Sequence, residues 1–438
     1  MVERATWLLV LVCLAGCGLR PSTRPVSDSP MTQLTRLDNG LTVAIQEDRS
    51  VPLVTMDMWV RVGSGDEPAH LAGISHFLEH MLFKGTPSLA VGEYDRRVEF
   101  AGGYLNAATS MDYTHYYVTL PAKEFSAILP LFADVIQNSS IDPDEVASER
   151  QVILEEIRRK NDSPFGYLFD EAFPSRFASG PYSHPVIGSS ETVTAMTRDQ
   201  LHEHYQRFYA PENMHLSIVG DVPKDATLVA IQQSFGALRR PLRPWRDAAP
   251  APVWSPPAAR HLPREWKEAY VLLAFESKSP ATLEEVVAAD MAEALLVSGR
   301  SSRLTKVLVE EKQLASSVGA YFPTSRHDAP MLIYATCAEQ NIDAVRAEIT
   351  AQLAQISREG FSAAELRRIQ RQSINGHLFG TETNSGRASS MAYSLVMRGD
   401  LSLHDGYAEA VRGVSEREVL AYMRKNLRPE TASVTTTK

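Results

Sequence analysis

Gly73-Ile-Ser-His-Phe-Leu-Glu-His-Met-Leu-Phe-Lys-Gly-Thr86 is the stretch on which the reading of this chain turns, because it holds two imidazoles and a carboxylate at the spacing a catalytic zinc needs. The pattern predicts a helix in which His76 and His80, four residues apart, share a face, so that two ring nitrogens converge while Glu79 points at the same spot. Ile74, Phe77, Leu78, Met81 and Leu82 form the apolar stripe of that helix. By itself such a pair of histidines is equally the edge of an amphipathic helix, and two further stretches decide between the readings.

A zinc peptidase needs a third protein ligand and keeps a fourth position for water. Ser148-Glu-Arg-Gln-Val-Ile-Leu-Glu-Glu-Ile-Arg-Arg159 offers Glu149 and Glu156, two turns apart on one face of a helix that Asp142-Pro143 opens as N-cap and first residue. Between these helices, Gly102-Gly103 leads into a β-branched and aromatic run, Tyr104 to Val118, whose edge suits pairing with an extended peptide.

These residues resemble the pitrilysin- or insulinase-type zinc metallopeptidases, the inverzincins, in the half-length branch that includes mitochondrial processing peptidase. The resemblance runs through Leu37 to Val43, His76 to Thr86, Asn106 to Thr109, Glu149 to Glu156, Tyr209 to Met214 and Val219 to Asp221. It implies one Zn2+ per chain on His76, His80 and Glu156, Glu79 as general base, Glu149 as an outer carboxylate orienting a histidine, and Asn106 and Ala107 holding substrate backbone as an added strand. Active members carry an Arg and a Tyr in a second-half stretch like Leu-Arg-Glu-x-x-Gly-Leu-Ala-Tyr. Here that stretch reads Leu308-Val-Glu-Glu-Lys-Gln-Leu-Ala-Ser-Ser-Val318, with Val309 for the Arg and Ser316 for the Tyr. The resemblance therefore implies the zinc-bearing half of a heterodimer whose zinc-less homologous subunit supplies both groups. A homodimer is the alternative, and Tyr321 is a substitute only if the register shifts.

The length, 438 residues, suits two domains of roughly 200 residues rather than one core. The Pro/Ala-rich run 239–262 reads as a linker, neither helix nor strand, between a zinc-bearing domain (32–238) and a metal-free copy (263–438). The copy echoes the first half: Phe361 to Glu365 opens a helix as Ile141 to Glu145 does, with Gly376 at the Glu156 position, and a strand at Ala269 to Glu276 leads into a helix near Val286 to Val297 without histidines. The expected fold class is α+β, each domain a sheet with helices on one side. The resemblance adds a clam-shell arrangement across the site.

Residues 1–17 resemble a bacterial lipoprotein signal, with an apolar run from Ala5 to Leu14 and Cys17 as lipidation site, and 18–31 a polar, proline-rich tether. A plain signal peptide is the alternative. With Gly18 after the cysteine, the expectation is a lipid anchor in the outer membrane of a bacterial envelope, facing the periplasm. Cys337 is then the one free thiol, which excludes an intrachain disulfide in the mature chain. The charge of −9 argues against a nucleic-acid surface. His202 and His204 point apart on a helix and read as a solvated face, His115 as cross-strand packing, and His184 as a loop residue. Two classes stay open: a zinc endopeptidase acting on short or unfolded peptides, and a catalytically silent peptide-binding or scaffold lipoprotein of the same fold.

Overall fold

The computed structural model describes residues 32–246, 251–264 and 266–437. Cys17, the expected signal and the tether lie outside the described residues. Among those described, no helix is long and apolar enough to cross a membrane.

The strands are β1 (Gln33–Arg36), β2 (Thr42–Glu47), β3 (Leu53–Val60), β4 (Tyr104–Thr109), β5 (Thr114–Pro121), β6 (Phe177–Ser179), β7 (Met214–Gly220), β8 (Val253–Trp254), β9 (Ala259–Leu262), β10 (Ala269–Phe275), β11 (Ala315–Tyr321), β12 (Met331–Cys337) and β13 (Ser433–Thr437). A six-stranded sheet has the order β1-β2-β7-β3-β5-β4 and a five-stranded sheet the order β11-β12-β10-β13-β9. The second repeats the first. In both, a central strand lies antiparallel between two neighbours (β5-β3-β7 and β12-β10-β13), and the outer pair beyond it is parallel (β2 with β7, β9 with β13). β4 and β11 take matching edge positions.

Alternation along β3 sets the two faces of the first sheet. Val54, Met56, Met58 and Val60 enter the core shared with the Ile74–Leu82 helix, whereas Trp59 meets Ala392 and Val396 on the opposite face. Those two residues belong to the Asn384–Arg398 helix of the second half, whose Ala388, Met391 and Leu395 also cover Ala44 and Val219. The favour is returned. Leu168 and Ala172, on the Pro164–Ala172 helix of the first half, pack against Leu272, Ala274 and Leu332 of the second sheet. Each sheet thus carries its own helices on one face and a single helix from the other half on the second, so the halves interlock.

The linker expectation needs correction. Residues 239–246 lie against the Arg198–Phe208 helix through cation–π contacts of Arg240 on Tyr205 and Arg207 on Trp245. Farther on, β8 pairs with β6 of the first half and β9 is the second sheet's counterpart of β2. Prolines at 256 and 257 stop short of β9, whose four residues are too few for alternation to declare them.

Arg176 pins the halves at this junction. Fully buried, its guanidinium donates to the Ser255 carbonyl (3.1 Å), Ser433 Oγ (2.7 Å) and the Thr431 carbonyl (3.3 Å). Arg176→Ala removes three bonds, leaves a cavity and is expected to cost about 3–5 kcal/mol, as breaking buried polar networks does. Thermal unfolding of the variant at the wild-type midpoint would contradict that account.

Candidate metal centre

The Ile74–Leu82 helix starts at Gly73, whose φ of +94° suits glycine, and buries Ile74, Phe77, Leu78, Met81 and Leu82. Each such side chain is worth about 1.5–3 kcal/mol relative to exposure, so the rotation of the helix is fixed and His76, Glu79 and His80 take its open side. Its first N–H groups are met by buried Glu67, which accepts from Gly73 N–H (2.7 Å) and Ser75 N–H (2.8 Å). Below the helix, the Trp245 indole N–H donates to His204 Nδ1 (3.0 Å), which leaves Nε2–H for Ser75 Oγ (3.2 Å). His204 is therefore no part of a solvated face; it is buried, and burial pushes its imidazole down to about 3. His202 does remain on the outer side of its helix.

The Pro143–Asp162 helix begins as expected, with Asp142 accepting from Asp144 N–H and Glu145 N–H. It carries Glu156 to the two histidines: Glu156 Oε2 lies 3.6 Å from His76 Nε2 and 3.6 Å from His80 Nε2. Tetrahedral ligands about 2.1 Å from a zinc ion sit about 3.4 Å apart, so the spacing fits. Two imidazole nitrogens and a carboxylate oxygen are also the donors this metal takes. Among the described residues, no other group of three or more such side chains converges in this way.

The outer contacts orient these ligands. His80 Nδ1 is 3.0 Å from Glu149 Oε2, and Lys84 Nζ holds the other oxygen of Glu149 at 2.7 Å. Burial pushes Glu149 up, yet Lys84 and His80 outweigh it and keep the carboxyl below its usual range. Burial brings His76 down to about 4, which favours the neutral, metal-binding imidazole. Burial likewise raises Glu79, against a hydrogen bond that the Thr109 hydroxyl donates to its Oε2 at 2.6 Å. Thr109 closes β4, so the edge strand that carries Asn106 and Ala107 ends on the carboxylate. Asn106 is exposed there, and its Oδ1 accepts from the Ala107 N–H at 2.8 Å. Thr109→Val is expected to lower kcat about tenfold at unchanged metal content, since it frees the carboxylate to rotate; an unaltered kcat would show that the bond is idle.

The strongest electrostatic influences on His76, Glu79, His80 and Glu156 all come from first-half residues. Val309 packs against the second core, and Ser316 donates to Glu268 Oε1 (2.9 Å). Tyr321 packs edge-on against Phe169, at 5.4 Å between centroids. His115 keeps a packing role, 3.1 Å from Asp57 and stacked on Tyr117. His184 sits 3.9 Å from Glu67. Lys84, Glu67 and Thr109 were not singled out by sequence. Lys84 could have been, one helical turn beyond His80; Glu67 and Thr109 act across loops and carry no periodic signal.

A helix-borne pair of histidines, a carboxylate from a second helix and a base between them define the class of metallopeptidases with an inverted zinc motif. The chain belongs to peptidase family M16. The model of the insulinase family (peptidase family M16) matches residues 42–188 and that of the peptidase M16 inactive domain residues 195–373. An uncharacterized zinc protease of Mycobacterium leprae is 32% identical over 364 residues, covering 82% of this chain and 81% of its own. Another, from Bacillus subtilis, is 26% identical over 351 residues, 80% of this chain and 85% of its own. A solved protease from Helicobacter pylori superposes with a TM-score of 0.87 at 25% identity, over 94% of this chain and 100% of that one. A peptidase M16 inactive domain from Pseudomonas fluorescens shares the fold with a TM-score of 0.84, at 18% identity over 93% and 97% of the two chains.

Proposed function

We propose that this chain is a zinc-dependent endopeptidase subunit that hydrolyses short or unfolded peptides in the bacterial cell envelope, held at the membrane through Cys17. The convergence of His76 Nε2, His80 Nε2 and Glu156 Oε2 beside Glu79 carries the reading. Zinc bound there would supply Lewis acidity and a water acidified to a pKa of roughly 7. Glu79, fixed through one oxygen by Thr109, takes the proton and returns it to the leaving amine, a task that its burial-raised carboxyl suits. A peptide added along the β4 edge displaces the Asn106 cover on the Ala107 N–H, pairs there, and has its scissile carbonyl at the Thr109 end. Treatment with a zinc chelator is expected to abolish cleavage of a quenched peptide, and one equivalent of zinc to restore it. Cleavage that survives full metal removal would sink the reading.

Val309 and Ser316 bring no donor to the site, and a missing electrophilic stabiliser costs a few kcal/mol in the transition state. This favours a zinc-less homologous partner that supplies Arg and Tyr, with a homodimer second. The same observation supports the alternative of a catalytically silent peptide-binding lipoprotein. Cleavage only with a co-purified homologue selects the split-site enzyme, whereas stoichiometric zinc without cleavage in any assembly selects the binding protein.

A further inference from the structure

A cavity of about 400 Å³ lies between the halves, within the size range of small-ligand sites. One wall is the 110–113 turn that follows Thr109, and the others come from the second half. Four tyrosines line it, Tyr113, Tyr321, Tyr393 and Tyr407, and Asp290 enters from the Leu283–Val297 helix. The Asp290 carboxylate accepts one bond from a described side chain, Tyr407 Oη–H at 2.7 Å. Glu293, one turn further along the same helix, lies close enough to raise its own carboxyl through Asp290, after burial, to about 7. Burial lowers the imidazole of His377, the other titratable side chain at this end of the cavity, so it adds no compensating charge. Among the described residues, no lysine or arginine forms an ion pair with Asp290 or Glu293.

Without a cation the charged forms of these two carboxyls are costly, so burial raises Asp290 to about 6 as it raises Glu293; a cation would relieve that cost, and tyrosine rings present their negative faces to a positive group. We infer that this inter-half cavity binds an organic cation, an ammonium or guanidinium on an alkyl stem, with its charge on Asp290 and its stem among the tyrosine rings. A metal ion fits less well: of the two carboxylates in the lining, Asp112 already accepts from Arg326 and Tyr182, which leaves Asp290 among aromatic walls rather than the several oxygen donors that a hard cation requires. The cation has two possible sources, a free amine or a basic side chain of a bound peptide, and both present the same group.

The test is calorimetric titration of the full-length protein with agmatine, and separately with a peptide carrying one arginine against its citrulline twin. Saturable agmatine binding that weakens at least tenfold in Asp290→Asn supports the site. If the arginine peptide also binds at least tenfold better than the citrulline twin and loses that margin in Asp290→Asn, the source is a peptide side chain; agmatine binding without that margin makes it a free amine. Binding of neither probe, or binding equal in wild type and Asp290→Asn, overturns the inference. Tyr407→Phe keeps the ring and is expected to bind within about threefold of wild type, whereas Tyr407→Leu should lose tenfold; this pair stands in if Asp290→Asn fails to fold, and equal binding by the two overturns the aromatic part. Neither arm requires turnover, so failure here is separate from failure of the peptidase reading.

Discussion

Glu79→Gln is expected to lower kcat by about 10³-fold or more, equivalent to about 4 kcal/mol of transition-state free energy, while the chain keeps one zinc. The substitution is close to isosteric. The amide oxygen of the introduced side chain can still accept from the Thr109 hydroxyl, which in the native chain donates to Glu79 Oε2 at 2.6 Å, so the side chain stays in place and only its ability to take a proton is lost. His76, His80 and Glu156 are untouched, and with them the 3.6 Å spacing from Glu156 to each histidine. Metal content by atomic spectroscopy and cleavage by the assembly that turns over a quenched peptide must therefore separate. Loss of zinc together with activity would mean that Glu79 is a ligand; unchanged activity would remove it as the base.

How far the chain was legible varies with the range of the interaction. The histidine helix and the two candidates for a third ligand are local patterns: i,i+4 for the histidines and a two-turn repeat that offers Glu149 and Glu156 alike, each on a helix with its own apolar stripe, while the choice of Glu156 rests on the family resemblance. The internal repeat was visible because the second half keeps the same strand and cap signals, Ser362 and Glu365 forming a capping box where Asp142 caps the first half. The exchange of helices between the sheets was not visible. Ala388, Met391, Ala392 and Leu395 announce an apolar face, yet nothing in their spacing says that Ala44, Val219 and Trp59 lie beneath them. Composition misled at residues 239–262, where prolines mask β9, and at His204, whose polar neighbours on the helix hide a side chain satisfied by Trp245 from that same segment.

Gly188→Ala is expected to loosen the metal centre without touching a ligand. Gly188 has φ +78°, and a Cβ there would stand 2.3 Å from the Ala72 carbonyl oxygen and 2.9 Å from Gly73 Cα; a Cβ on Gly73 would in turn meet the Ile187 carbonyl oxygen at 2.6 Å. Two glycines thus let the 185–188 turn rest directly on the backbone from which the metal helix starts. Every atom in the way is main chain, so no rotamer change relieves the contact, and the left-handed backbone adds about 1–2 kcal/mol of its own. Either the turn or the helix start must move, and His76 follows Gly73 by three residues. A total cost of at least about 3 kcal/mol and a tenfold or greater loss of zinc affinity are expected. Gly376→Ala is the matched control: apart from its chain neighbours and the backbone of its own helix, no atom lies within 4 Å of a Cβ there, its φ is not positive, and it is interior to the Ala363–Gly380 helix, so alanine should be neutral or gain up to about 1 kcal/mol from propensity. Thermal unfolding and competitive zinc titration of both variants decide the matter. Equal behaviour of the two would mean that the glycine contact does not hold the metal helix in place.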